Sequence, residues 1–407
     1  MTLTSRLFVI MSQCRFPSEF VVIIAGVSAA LHLGKLPPAI TALESALGIT
    51  LLQAGFMLSL VQLAGMTVGL LVGMAADTVG LRRSMIAGLV ILALASFLGA
   101  EATSVSALLT LRALEGVGFL LVVLPAPGLI RRQVPVEKLS PRLGLWGCYM
   151  GFGTSLALLT APWVIDAASW QGWWRVLALV SMLMLVWVWY AVPADQPHST
   201  SANTTSPSAP WWQRPADTLA APGPWLIAII FAMYSSQWLS VIGFLPSIYR
   251  QAGFSALLIG PLTALVALIN VLGNLASGYL LHRGIQARQL LYTGFGVMSL
   301  GTLLAFSSLT DTAPMVRYSA VLLFSMVGGV IPGVLFSLAV RLAPSEDTVS
   351  TTVGWMQQWS SLGQFAGPPL VALVASRSEG WESTWVVTGG LSLVAAMVIS
   401  RLPRFSG

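Results

Sequence analysis

Twelve stretches of this chain are apolar over the length that an α-helix needs to cross a lipid bilayer. They run over residues 18–42, 50–74, 84–101, 104–130, 143–168, 173–193, 224–249, 256–281, 289–309, 313–340, 349–375 and 381–402. About 20 residues at a rise of about 1.5 Å each cross roughly 30 Å of hydrocarbon. Within that layer every backbone N–H and C=O must be paired inside the protein, which a continuous apolar run achieves as a helix. Composition agrees, with 56% of the 407 residues hydrophobic and 8% charged. A soluble domain carries about 25% charged residues to keep its outside wet. Lipid is therefore the expected solvent for much of this surface, and the expected fold class is an all-α polytopic membrane protein with twelve transmembrane helices.

Between the sixth and seventh segments lies the one long polar stretch, residues 194–222, rich in Ser, Thr and Pro. It reads as a flexible cytosolic linker joining an N-terminal six-helix bundle (1–193) to a C-terminal one (223–407). The halves repeat each other at an offset of 205. Gly48 maps to Gly253, Gly55 to Gly260, Gly73 to Gly278, Arg112 to Arg317, and Pro127-Gly128 to Pro332-Gly333. This pattern fits two pseudo-symmetric bundles related by an axis along the membrane normal, with a cavity between them.

Charge then orients the chain. With a cytosolic N-terminus, fourteen of the 20 Lys and Arg residues face inside, among them Arg82, Arg83, Arg131, Arg132 and Arg283. Arg175, Arg250 and Arg377 face outside, and Lys35, Arg112 and Arg317 fall within spans. That asymmetry is what the positive-inside rule requires for cytosolic N- and C-termini. The net charge of +6 is thereby read as topogenic, and no nucleic-acid partner is expected. Residues 1–20 read as a cytosolic lead-in and not a removable signal, and Cys14 and Cys148 form no disulfide framework. Cys148 is expected to be an inert packing thiol.

The loop after the second segment reads Gly73-Met-Ala-Ala-Asp77-Thr-Val-Gly80-Leu-Arg82-Arg83. Gly80 suits a tight turn, and Asp77 with Arg82 and Arg83 can form switchable charge pairs at a cytosolic gate. The loop resembles the signature between helices two and three of the major facilitator superfamily (MFS). That resemblance implies twelve helices, alternating access, and a gate of Gly73, Asp77, Gly80, Arg82 and Arg83 that holds the outward-facing state. A second copy, Gly278-Tyr-Leu-Leu-His282-Arg283-Gly284, has His282 in place of the aspartate; it reads as a solvated loop residue before a proton relay.

The fourth segment begins Leu111-Arg112-Ala-Leu-Glu115-Gly116-Val-Gly118 and resembles the superfamily's helix-four motif. An arginine at span depth costs about 2.5–3.5 kcal/mol on insertion scales, so it needs a reason to be there. Glu115 lies three residues on, on the same helix face. The two read either as a proton-coupling pair in which Glu115 titrates or as a permanent intramembrane ion pair. In the first segment Lys35 precedes Pro37 and Pro38, which break or kink the helix and free backbone groups beside it. It reads as a cation facing a cavity, with a snorkelling lysine as the alternative.

Tyr234, Gln237 and Trp238, followed by Leu245-Pro246, and Met356-Gln357-Gln358 resemble helices seven and eleven of the branch that holds cyanate and nitroimidazole permeases. The first segment departs from that branch, having Lys-Leu-Pro-Pro where Asn-Leu-Arg-Pro is expected. Lys35, Arg112, Tyr234, Gln237, Trp238, Gln357 and Gln358 are the candidate substrate-binding residues, and Glu115 is the candidate for proton coupling. Gly65, Gly69 and Gly73, and Gly147 with Gly151, have the small-xxx-small spacing of close helix packing. Ala161-Pro162 and Gly367-Pro368 resemble remnants of a helix-five element found in exporters.

The expected function is secondary active transport of a small polar or anionic solute by alternating access, with protons as the candidate coupling ion. The alternative is an exporter of hydrophobic or cationic compounds, against which three intramembrane cations to one carboxylate argue. An enzyme is not expected: the chain has no His-Glu-x-x-His helix, no Gly-Lys-Ser/Thr phosphate loop and no Gly-x-Ser-x-Gly elbow. His32, His198 and His282 are too dispersed in sequence for a catalytic cluster. No cofactor, metal or catalytic residue is expected. The chain is expected to be a monomer in a bacterial inner membrane.

Overall fold

The computed structural model describes residues 17–67, 69, 80–195, 213–345, 348–378 and 380–403. Among these the chain is helical throughout its length, with no strand. Span one is Ser18–Leu47, span two Leu51–Thr67, span three Leu81–Ala100 and span four Val105–Gln133. Arg142–Ala191 carries spans five and six. Spans seven to ten are Pro222–Gln251, Leu257–His282, Ala287–Phe306 and Pro314–Leu342. Span eleven is Val349–Arg377 and span twelve Thr384–Ser400.

Fifty residues run from Arg142 to Ala191 without a loop. The corner is made by Ala168 and Ser169, the latter at φ 64°, the one non-glycine residue with positive φ among those described. Spans five and six therefore meet at a two-residue turn where the sequence suggested a longer gap. Residues 213–220, expected to be flexible linker, include the helix Gln213–Ala220.

Span one breaks at its prolines, as expected. Its first helix is Ser18–Gly34, a single 3-10 turn covers Pro37–Ala39, and helix resumes over Ile40–Leu47. Pro37 and Pro38 supply no N–H, so the last carbonyls of the first helix lack their usual donors. Gly48 then closes the segment at φ 64°, and Thr50 caps span two reciprocally with Gln53, at 3.2 and 2.9 Å. The repeat is visible in the backbone. Gly253, at the offset of 205, also has positive φ (82°), and Gly80 (107°) has a counterpart one residue out of register in Gly284 (81°).

The outer faces are lined by large apolar side chains at helical spacing. Leu179, Leu183, Val186 and Tyr190 form such a stripe on span six, and Leu268, Leu272, Leu275 and Tyr279 another on span eight. Water would not tolerate these stripes, and hydrocarbon does. Inside, each half has its own apolar core. One gathers Val22, Met85, Leu89 and Val188; the other gathers Ile227, Leu291, Phe324 and Leu335.

The halves meet along spans two and eleven and along spans five and eight. Gly55 lies against the backbone of Pro368 and Pro369, Gly65 against Ser361, and Gly260 against the carbonyls of Leu158 and Leu159. Gln62 Nε2 donates to Gln364 Oε1 at 3.0 Å, and Gln358 Nε2 to the Met66 carbonyl at 2.8 Å. Ser155 Oγ donates across the second seam to the Ala264 carbonyl at 2.7 Å. These are amide and hydroxyl contacts, each worth about 0.5–1.5 kcal/mol net, so the seam can open without separating charges.

Candidate functional site

The break in span one leaves carbonyl groups without helical partners, and neighbouring spans supply them. The His32 carbonyl accepts from Arg112 Nη1 at 2.8 Å, and the Lys35 carbonyl from Trp173 Nε1 at 3.2 Å. Arg112 Nε donates at 3.1 Å to the Met57 carbonyl of span two. The guanidinium of span four thus stitches spans one and two together at the break.

The side chains converge at the same place. Lys35 Nζ is ion-paired with Glu115 Oε1 and donates to Ser96 Oγ at 3.1 Å. Arg112 Nη1 pairs with Glu115 Oε2 at 2.5 Å. His32 places Nδ1 3.7 Å from Glu115 Oε1, with Nε2 2.8 Å from Ser181 Oγ of span six. Ser96 passes its own hydrogen to the Trp174 carbonyl at 2.9 Å, and Lys35 Nζ stands 4.5 Å above the Trp174 ring. Spans one, two, three, four and six each contribute a group, and the four charged or titratable side chains are at most 1% exposed.

Two cations share one carboxylate, so the cluster carries a net charge of about +1 with His32 neutral. Breaking a buried pair typically costs about 3–5 kcal/mol, because it leaves an uncompensated charge in a low dielectric. Arg112 Nη2 and His32 Nδ1 are buried without a hydrogen-bond partner among the described residues. Lys35 does not snorkel: it is fully buried, and its ammonium is directed into the N-terminal half towards spans three, four and six. Arg317, expected within a span, instead lies in the first turn of span ten. There it pairs with the exposed Asp311 and donates to the Ser307 carbonyl at 2.8 Å. The reason is that span ten starts at Pro314, only three residues before it.

The remaining candidates of the C-terminal half do not reach this cluster. Tyr234 exchanges hydrogen bonds with Asn270 of span eight at 3.0 and 3.3 Å. Gln237 donates to the Met233 carbonyl at 3.0 Å and accepts from Ser392 of span twelve at 3.1 Å. Trp238 Nε1 donates to Ser325 Oγ of span ten at 3.3 Å. Gln358 lies on the seam with span two, and Gln357 is half-buried beside it.

Of the residues expected to form a cytosolic gate, Gly73 and Asp77 lie outside the described residues. Gly80 opens span three, and the backbone N–H groups of Arg82 and Arg83 both donate at 3.1 Å to the carboxylate of Asp195. Arg132 comes within 3.6 Å of the same carboxylate. An anion at the positive end of a helix is favourable by about 0.3–1 kcal/mol. Asp195 sits in the stretch read as linker, and its distance in sequence hid it. His32 was hidden differently: three residues before Lys35, it shares that helix face, which is a usable signal. Ser96, Trp173, Trp174 and Ser181 carried no such signal.

The described residues contain no group of three or more His, Cys, Asp or Glu side chains placed to hold a metal ion. The sequence profile of the Major Facilitator Superfamily matches residues 20–368. The 2-nitroimidazole transporter of Escherichia coli (strain K12) is 24% identical over 367 residues, covering 88% of each chain. The cyanate transport protein CynX of the same organism is 25% identical over 198 residues, a match that spans 48% of each protein. Among solved structures, a bacterial homolog to the human lysosomal transporter Spinster, inward-facing and occupied, aligns with TM-score 0.81. It has 13% identity and covers 95% of this chain and 98% of its own. A D-xylose-proton symporter aligns with TM-score 0.74 at 14% identity, covering 95% and 97%.

Proposed function

The chain belongs to the Major Facilitator Superfamily, and from that premise we propose that it carries a small polar or anionic solute across a bacterial inner membrane by alternating access. It is a transporter and not an enzyme. The one observation that carries the solute class is the cluster at the break of span one, where Lys35 and Arg112 share the single carboxylate of Glu115. A site with more cation than anion attracts a negative or strongly polar solute and repels a cation. The similarity to the cyanate and 2-nitroimidazole transporters supports the same class. Export of lipophilic cations is the competing reading, and the excess positive charge weighs against it.

Glu115 is proposed as the hub through which protons couple to the solute, because a change of charge anywhere in the cluster must be felt at its carboxylate. The gate of Gly80, Arg82 and Arg83, with Gly73 and Asp77, is proposed to face the cytosol, as are both termini. Tyr234, Gln237, Trp238, Gln357 and Gln358 are proposed as the polar and aromatic contribution of the second half. They become available to solute as the halves rock about seams made of neutral hydrogen bonds. A monomer is proposed as the working unit.

The test is a stability screen of the purified protein against cyanate, small carboxylates and lipophilic cations. A ligand bound only by the folded state raises stability by about 2.7 kcal/mol at a hundredfold excess over Kd. Stabilisation by anions that is lost in Lys35→Ala and kept in Lys35→Arg supports the proposal. Stabilisation by lipophilic cations alone would overturn it.

A further inference from the structure

Resting on the reading of the chain as a coupled transporter, we propose that His32 is the group that accepts the proton, and that it acts by displacing Lys35 from Glu115. Both oxygens of the Glu115 carboxylate are already occupied, Oε1 by Lys35 Nζ and Oε2 by Arg112 Nη1 at 2.5 Å. A proton arriving on the carboxylate itself would cancel the one charge that holds both cations in the bilayer. His32 Nδ1 is differently placed. It is buried, has no hydrogen-bond partner among the described residues, and stands 3.7 Å from Oε1, the oxygen that Lys35 holds.

The opposite ring nitrogen sets this up. Nε2 lies 2.8 Å from Ser181 Oγ, so a neutral ring can give its N–H to the serine and turn its Nδ1 lone pair towards the carboxylate. Two acceptors facing each other across 3.7 Å form no bond, and one added proton makes an ion-paired hydrogen bond of them. The charged and titratable groups facing the ring, among the described residues, are Lys35 on its own span and Arg112 and Glu115 on span four. Span six presents Ser181 and Trp174, span three presents Ser96, and span two presents the Met57 carbonyl.

The proton adds to Nδ1, and its only new covalent bond is N–H. The cluster then goes from about +1 to about +2, with two cations competing for Oε1. Lys35 keeps Ser96 and the face of Trp174 but loses its carboxylate. A buried ammonium without a counter-ion is costly, and an anionic solute supplies one. Proton and anion load together, and they leave together when His32 gives up its proton and Lys35 returns to Glu115. Proton–anion symport follows, with Lys35 as the switched ligand and His32 as its positioning residue.

The experiment places spin labels at Thr103 and Leu309, exposed at the outer ends of the two halves, in full-length protein with Cys14 and Cys148 replaced. Inter-label distances are recorded from acidic to neutral pH, with and without cyanate as the probe anion. The wild type is expected to shift population with pH, and cyanate to enlarge the shift. His32→Gln, which can still bond Ser181 but cannot charge, should exchange between conformations with no pH dependence. Ser181→Ala, a milder change, should move the pH midpoint. An unchanged pH profile in either variant, or a wild type that exchanges without pH dependence, would overturn the role of His32. A wild type that never changes distance under any pH or with cyanate would instead count against the transporter reading.

Discussion

The two halves share a scaffold and differ in what they bury. At the offset of 205, Arg112 corresponds to Arg317, His32 to Gln237, Lys35 to Ser240 and Glu115 to Ala320. In the first half these positions form one buried ionic cluster. In the second, Gln237 is satisfied by a backbone carbonyl and Ser392, and Ser240 by the Ser236 carbonyl at 2.6 Å. Arg317 turns outward to Asp311. The lesson is that an arginine can stay inside the bilayer only where its partners close around it. Where position 320 is alanine, no carboxylate stands three residues on, and the arginine pairs instead with Asp311 beyond the start of the span. Of these two matched sets of residues, only the one in the first half contains groups that can take up a proton, so the proposal places coupling there and leaves the matched positions of the second half as neutral walls.

The largest effect that would break this comparison comes from Glu115→Gln. It leaves two buried cations without an anion and should cost about 3–5 kcal/mol, read as a lowered unfolding temperature in detergent. Lys35→Met combined with Glu115→Gln removes one of those cations and should recover part of the loss. Equal stability of Glu115→Gln and wild type would mean that the cluster is not a closed network.

Packing should not distinguish the halves. A Cβ at Gly116 would press on the Val61 carbonyl, and one at Gly329 on the Asn270 carbonyl. Both obstacles are backbone, so Gly116→Ala and Gly329→Ala should each cost about 1–3 kcal/mol. A large disparity in thermal unfolding would show that one half is the softer. Smaller still is Tyr234→Phe, which removes the hydroxyl that exchanges neutral hydrogen bonds with Asn270 and should cost about 1 kcal/mol. The loss should be the same at every pH, which would sharpen the contrast with the first half. The smallest effect is expected from Arg317→Ala. Its pair is partly exposed, at 32% and 55%, so the loss should be about 0–1 kcal/mol and disappear at high salt.

Much of the fold was legible because its solvent is apolar. A span announces itself as an uninterrupted run, and all twelve runs have a helical counterpart among the described residues. The proline break in span one was legible for the same local reason, since Pro37 and Pro38 cannot donate. Boundaries that depended on a single turn were not, as Ala168 and Ser169 show. Lys35, Arg112 and Glu115 stood out because charge in a span is expensive. His32 did not, because a neutral histidine costs little in an apolar run, and its spacing from Lys35 was the only signal it carried.

By itself the sequence determined the helical class, the twelve crossings, the duplicated halves and the presence of unpaid charge at span depth. These follow from short-range rules: helix length against bilayer thickness, N–H supply at proline, and the cost of removing an ion from water. Only the tertiary structure decided which charges meet. Lys35 and Glu115 are 80 residues apart, His32 and Ser181 are 149 apart, and Arg112 and Arg317 carry the same side chain at equivalent positions. What separates them is the packing of spans around each, because the energy of a buried charge is set by the few ångströms around it and not by its place in the chain.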